Sequence, residues 1–341
     1  MRIALAGLGT TGSHLARQLR DPDITEIRLF DIDQQRIRAV RGALDVRVSP
    51  RSGAPDPEDP PDVTVLATPA GGHVQLAAKM LEAGSHVVSI SDDPDEVVGL
   101  LALDGLARSV DRSLVVGAGF CPGLSSLLVR FAADQLDLVE GISVSRAGTA
   151  GPACARQHHR ALKHDGRDWR DGRWELRRGG SGRDLAWFPE PIGARDCYRG
   201  ALPSPILLQR RYPEARRISA RMAATRRDRL TGRLPMLRKP HRDGGPGGIR
   251  VEVRGRAGGA GPTAAVETLV YGVMDHPSVA AATVAAVVAT RTARGQGPPG
   301  ADGLVAWAEP GELLSELARR GIQIAAFSGQ LDPAPTGQTP A

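Results

Sequence analysis

The chain has 341 residues, 41% hydrophobic and 24% charged, enough for two ordinary globular domains with separate cores. It contains no run of eighteen apolar residues, it opens directly on an apolar strand, and its three cysteines (Cys121, Cys154, Cys197) are widely spaced and odd in number; this argues against a membrane span, a signal peptide and a disulfide framework, and the expectation is a cytoplasmic protein. The net charge of +6 is almost entirely arginine, concentrated between Arg146 and Arg256 and interspersed with Asp, Gly and Pro, and with aromatic residues at only 4% it does not read as a nucleic-acid surface.

Strand signals fall at 2–6, 26–31, 44–48, 63–67, 86–91 and 113–117, alternating with helix signals. Between the first strand and the first helix stands Gly7-Leu8-Gly9-Thr10-Thr11-Gly12. The first glycine permits a tight turn, the second lets the backbone approach a pyrophosphate, and the third lets helix and strand pack closely, with the free N–H groups of the helix N-terminus turned to the phosphates. Asp31 closes the second strand about twenty residues further on, placed to accept from an adenosine ribose. Strand, GxGxxG turn, helix and acidic partner together predict a dinucleotide-binding Rossmann domain, a doubly wound parallel sheet. Asp31 favours NAD over NADP, because a carboxylate there repels a 2′-phosphate.

Thr68 and Pro69 end the fourth strand where strand order reverses, and are expected to touch the cofactor together with Gly7, Gly9, Thr10, Thr11, Gly12, Asp31 and Phe120. The proline-rich stretch 50–61 reads as a loop. Asp92 ends the fifth strand and is a candidate substrate contact. Asp93-Pro94-Asp95-Glu96 is a helix start, with Asp93 as N-cap, Pro94 at N1 and Glu96 at N3, opening a helix over 94–109.

After Gly119-Phe120-Cys121-Pro122-Gly123 a helix over 124–136 leads into longer strands at 142–146, 218–223, 249–254 and 267–273. They predict a second α+β domain with a mostly antiparallel sheet and helices on one side. An apolar helix at 277–291 is expected to be buried against the first domain, followed by a helix at 311–319, a short strand, and a disordered tail at 329–341. The expected division is 1–124 for the cofactor domain, 125–273 for substrate binding and dimerisation, and 274–328 for C-terminal helices packing back.

The segments Ser89 to Val97, Leu103 to Ala107 and Val116 to Ser126 resemble the saccharopine dehydrogenase-like reductases. The resemblance covers roughly residues 1–130, and its most specific part is the glycine-proline-glycine exit loop. It implies NAD(P)-dependent hydride transfer at a carbon–nitrogen bond, the secondary amine or imine of an amino-acid conjugate, by a protein that often dimerises through its second domain. Such chemistry needs one managed proton and a grip on carboxylates. Cys121, His159 and Lys163 are the candidate proton-transfer residues. His159 and Lys163 share a helix face at i and i+4, while a solvated basic helix is the plainer reading of that cluster and a wall residue the plainer reading of Cys121. Arg146 and Arg156 are candidates for gripping substrate carboxylate, beside Asp92. The pattern completes no metal-ligand set. The expected partner is a small carboxylate-bearing molecule and a second copy of the chain, with no nucleic acid and no membrane. Hydride transfer to an alkene or carbonyl, and a non-catalytic dinucleotide sensor or scaffold, are the alternative readings.

Overall fold

The computed structural model describes residues 1–44, 48–236, 239–259, 265–307 and 309–327. Two expectations touch the remainder: residues 45–47 of the third strand, and the tail at 329–341, lie outside the described residues.

The first half alternates as expected: β1 (Arg2–Ala6), α1 (Thr10–Gln18), β2 (Glu26–Asp31), α2 (Gln34–Arg41), β3 (Val48–Ser52), β4 (Val63–Leu66), α3 (His73–Glu82), β5 (His86–Ser89), α4 (Pro94–Leu101), α5 (Asp104–Ser109) and β6 (Ser113–Val116). The strands β6-β5-β4-β1-β2-β3 are all parallel, and order reverses beside β1. Apart from the edge strand β3, their side chains are mostly buried on both faces, as helices on both sides of a sheet require. β3 begins later than expected and carries Pro50; its place at the sheet edge explains why a residue without an N–H is tolerated there. The helix expected over 94–109 is two. The chain breaks at Ala102 and Leu103, and Asp104, the first residue of α5, accepts from the N–H of Ala301 at 2.8 Å.

α6 (Leu124–Ala133) crosses to the second domain: β7 (Leu138–Ala147), α7 (Pro152–Lys163), β8 (Gly166–Arg170), β9 (Arg173–Arg177), β10 (Asp184–Phe188), β11 (Gly193–Tyr198), α8 (Ser204–Arg211), β12 (Arg217–Ala223), α9 (Arg226–Thr231), β13 (Gly247–Ala257) and β14 (Ala265–Asp275). There follow α10 (Pro277–Ala293), β15 (Gly300–Gly303), α11 (Leu304–Trp307), α12 (Pro310–Arg319) and β16 (Ile324–Ala326). The second sheet runs β10-β11-β12-β7-β13-β14-β16, with β8 on β12 and β9 on β8. Every pairing in it is antiparallel except β7 with β12.

The segment after 274 divides between the sheets. α10 is buried along nearly its whole length against α1, β4 and β5, as expected of a helix apolar all round. β15 joins the first sheet beside β6 as a seventh parallel strand, whereas β16 pairs with β14 in the second.

Candidate functional site

A cleft of about 1390 Å³ lies between the carboxyl ends of the first sheet and the second domain. On the first-domain side the glycine turn is built as its sequence requires. Gly7 has φ +98°, and a Cβ there would meet the backbone of Ala67 and Thr68 at 2.6 Å; a Cβ on Gly12 would stand 1.9 Å from the Gly7 carbonyl oxygen. Gly9, by contrast, has nothing within 4 Å of its Cβ position. It is the N-cap of α1 and supplies no side-chain cap, so the first-turn N–H groups beyond it are left for a ligand. Tight backbone packing on two sides and open space on the third form a cradle fitted to a pyrophosphate.

Asp31 lies at the end of β2, buried to 8% exposure. Its Oδ2 accepts from Leu8 N at 2.6 Å and its Oδ1 from Asp33 N at 2.8 Å. Each oxygen keeps a second lone pair for a ribose hydroxyl. Arg36 is the cation nearby, 3.9 Å from Asp31 and 3.3 Å from Asp33. Two carboxylates against one guanidinium leave this corner net negative, unfavourable to a 2′-phosphate. Ile32, on the same wall and 97% exposed, offers a flat base an apolar surface.

The floor is a buried polar network. Thr68 stands two residues past the end of β4, and its Oγ1 lies 2.9 Å from His73 Nε2; His73 Nδ1 lies 2.8 Å from Ser89 Oγ. Glu96, at N3 of α4, turns its side chain to the start of α3. Its Oε1 accepts from the N–H groups of Gly71, Gly72 and His73 at the start of α3, and its Oε2 from Ser91 Oγ at 2.7 Å. The carboxylate thus sits on the positive end of α3 and pins the loop after Pro69. Asp93 is the expected cap, accepting from Asp95 N and Glu96 N. Burial holds the His73 imidazole below its ordinary pKa, against the opposing pull of Glu96.

The exit loop brings the domains together. Gly117 has φ +69° and Gly123 φ +119°, and a Cβ on Gly123 would collide with Gly119, so the loop closes only with glycine there. Phe120 and Cys121 face the cleft from it. The Cys121 thiol lies 3.7 Å from Ser204 Oγ, and its carbonyl accepts from Arg146 Nη1 at 3.2 Å. Arg146, on β7 and 4% exposed, also donates to Asp92 Oδ2 at 3.1 Å and approaches Cys154 Sγ at 3.7 Å. Burial, then Asp92, pushes the Cys154 thiol up, so it stays protonated at neutral pH. Among the described residues nothing holds Asp92 Oδ1.

Of the residues singled out in the sequence, Gly7, Gly9, Thr10, Thr11, Asp31, Thr68, Pro69, Asp92, Phe120, Cys121, Arg146 and Arg156 line the cleft. Gly12 packs beneath it. His159 and Lys163 do not line it: His159 Nε2 lies 2.9 Å from the Leu234 carbonyl, and Lys163 ends α7 exposed. The face of α7 turned inward carries Ala153, Cys154, Arg156, Gln157 and Arg160. Ala153, Arg156, Gln157 and Arg160 have the i, i+3, i+4, i+7 spacing of one helical stripe, with Cys154 beside it, and that spacing is the available signal; His159 and Lys163 lie off this stripe. Arg242, whose carbonyl accepts from Thr10 Oγ1 at 3.0 Å, was also missed. It comes from a loop whose glycines and prolines give no periodicity.

Residues 1–89 match a family model described as an oxidoreductase family with an NAD-binding Rossmann fold. No curated protein matches the chain. Among solved structures, the apo histidine-tagged saccharopine dehydrogenase (L-Glu forming) from Saccharomyces cerevisiae aligns over 96% of this chain and 100% of its own, with a TM-score of 0.66 and 12% identity. Weaker likenesses include a meso-dapdh mutant with DAP from Clostridium tetani E88, at TM-score 0.47, 11% identity and coverage of 93% of this chain and 95% of that one. Another is GenD2 from gentamicin A biosynthesis in complex with NAD, at TM-score 0.46, 14% identity and 96% of each chain. The first likeness shows a shared two-domain fold, and the family match makes the N-terminal domain an NAD-binding domain of the oxidoreductase type.

Proposed function

We propose that this protein is an NAD-dependent oxidoreductase acting on the carbon–nitrogen bond of a carboxylate-bearing secondary amine or imine. The observation that carries the reading is the Asp92–Arg146 pair. It stands at the carboxyl end of the first sheet, where the nicotinamide half of a dinucleotide lies in this topology. When bound, NAD supplies a hydride acceptor. The chain's own residues do the rest. Asp92 Oδ1 accepts from the substrate amine, while Oδ2 is fixed by Arg146. Arg156, exposed on the cleft wall, grips the substrate carboxylate. Protonated Cys154 is a hydrogen-bond donor to that group, and Cys121 with Phe120 forms the apolar wall. The proton leaves through solvent at the cleft mouth.

The same reading keeps the division at 1–124, 125–273 and 274–328, and makes the protein a symmetric homodimer through the second sheet, where Leu185 and Trp187 stand exposed at 55% and 56%. The test is NADH consumption with amino-acid and keto-acid pairs, supplied together and singly. Consumption that requires both partners is the expected result. Consumption with the carbonyl compound alone would overturn the carbon–nitrogen assignment.

A further inference from the structure

The polar network under the cleft fixes the place of each of its protons. His73 is 1% exposed, and its two ring nitrogens face unlike partners. Nε2 lies 3.1 Å from the Thr68 carbonyl oxygen, which can only accept and which has no other partner among the described residues. Nε2 therefore carries the hydrogen, and in a ring that burial keeps neutral Nδ1 is the acceptor. Ser89 Oγ, 2.8 Å from Nδ1, donates to it and accepts from Ser91 N at 3.2 Å, so this hydroxyl is satisfied in both directions. Glu96 Oε2 stands 3.7 Å from Nδ1, beyond hydrogen-bond distance, and already holds the Ser91 hydroxyl. The opposite tautomer would set a lone pair against the Thr68 carbonyl and leave the Ser89 hydroxyl hydrogen without an acceptor.

Thr68 Oγ1 lies 2.9 Å from the same Nε2. Facing an N–H group it acts there only as an acceptor, so its own hydrogen points away from His73. Thr68 is exposed and lines the cleft, and no other described residue accepts from its hydroxyl. We propose that His73 is a positioning residue whose Nε2–H tautomer, locked by Ser89 and the Thr68 carbonyl, turns the Thr68 hydroxyl into a donor aimed into the cleft. Its acceptor is an oxygen on the nicotinamide-riboside half of NAD, because Thr68 follows β4 where strand order reverses beside β1. A hydroxyl oriented before the cofactor arrives loses little rotational freedom on binding. This role needs the NAD-binding fold of the first domain and is independent of the bond on which the enzyme acts.

Nitrogen-15 NMR of the native protein, labelled in its histidine rings, reads the tautomer directly. The His73 signals, assigned by their loss in His73→Gln, are expected to show a protonated Nε2 and a bare Nδ1 at neutral pH. Affinity is read by fluorescence titration with NADH and by displacement of NADH with ADP, which lacks the nicotinamide-riboside half. Thr68→Val should weaken NADH about fivefold, the loss of one hydrogen bond, and leave ADP as in the native protein, while Thr68→Ser keeps both. His73→Gln, whose amide N–H replaces Nε2–H, should hold NADH within about twofold. His73→Leu should weaken NADH as Thr68→Val does and make that second substitution silent. A protonated Nδ1 in the native protein, unchanged NADH affinity in Thr68→Val, or ADP weakened as much as NADH would overturn the proposal. So would additive losses in the T68V/H73L double variant. The tautomer and the exposed threonine variants decide the matter even where a leucine at this buried position prevents folding.

Discussion

Asp31→Asn separates the structural from the selective work of one carboxylate. Asp31 accepts two backbone hydrogen bonds, from Leu8 and Asp33, in a nearly buried position. Asparagine keeps one acceptor oxygen and turns an N–H group toward the other donor, which costs about 1–3 kcal/mol of stability. At the cofactor, the ribose loses a charged acceptor, and NADH affinity falls by about tenfold. Toward a 2′-phosphate the sign reverses. The corner holds Asp31 and Asp33 against Arg36, and the substitution takes it from net negative to neutral. One unit charge removed at about 6 Å, in a dielectric between about 20 and 80, is worth about 0.7–2.8 kcal/mol for each phosphate charge. The tenfold loss of NADH and a threefold to hundredfold relief toward each phosphate charge multiply, so the NADH-over-NADPH preference should collapse by about thirtyfold to a thousandfold. Fluorescence titrations with both nucleotides at one ionic strength measure it, alongside urea unfolding for the stability cost. An unchanged ratio in the variant, or native protein that binds NADPH as tightly as NADH, would refute the account of Asp31.

Gly9→Ala, whose Cβ meets open space, should leave Tm almost untouched and weaken NADH at least about tenfold, whereas Gly12→Ala should destabilise by about 3 kcal/mol or more because its Cβ lands on the Gly7 carbonyl; equal Tm losses in the two would sink this division of labour. Asp92→Asn should leave NADH affinity within about twofold and cut turnover by about a hundredfold; a loss confined to NADH binding would move Asp92 from substrate to cofactor. Burial holds His73 and His86 below the ordinary 6.5, and burial followed by Arg146 holds His158 at about 3. The unfolded chain then binds more protons than the folded one below about pH 6.5, so stability is intact above that value and falls with acid. His158 alone accounts for about 2 kcal/mol between pH 7 and 5. A urea midpoint that does not move across that interval would contradict imidazoles held neutral in the fold.

The first domain was legible because its turns and strand ends are set by backbone chemistry. GxGxxG, Asp31 and Thr68 stand at a tight turn, at backbone N–H groups and past a strand end, and these have short sequence signatures. The second domain resisted for equally physical reasons. Asp171-Gly172, both at positive φ, make the two-residue turn that joins β8 to β9, and Asp-Gly is a hairpin signal. The flanking residues, rich in Arg and Asp, lack the alternating apolar pattern that would have confirmed it. Yet Trp169 and Trp174 pair across that hairpin with ring centroids 5.2 Å apart, so its apolar contribution comes from one cross-strand pair. β15, Gly-Ala-Asp-Gly, has no strand character of its own and is a strand only because β6 offers it an edge.

The candidate catalytic pair shows the same limit more sharply. Arg146 lies 54 residues beyond Asp92 and on a different sheet, so no local pattern joins them. What joins them is close approach at two places. The exit loop folds back on itself through Gly119 and Gly123, presenting the Cys121 carbonyl to Arg146. At the cofactor end Gly151 abuts Thr10 so closely that a Cβ would stand 2.5 Å from its hydroxyl, and Thr10 is tied to the carbonyl of Arg242. The second domain is therefore seated on the first turn of α1, next to the candidate pyrophosphate cradle, and on the exit loop. With the domain fixed at both ends of the cofactor site, β7 has little freedom to withdraw Arg146 from Asp92. The glycines that let backbones meet thus do for the substrate side of the cleft what Gly7 and Gly12 do for the cofactor side.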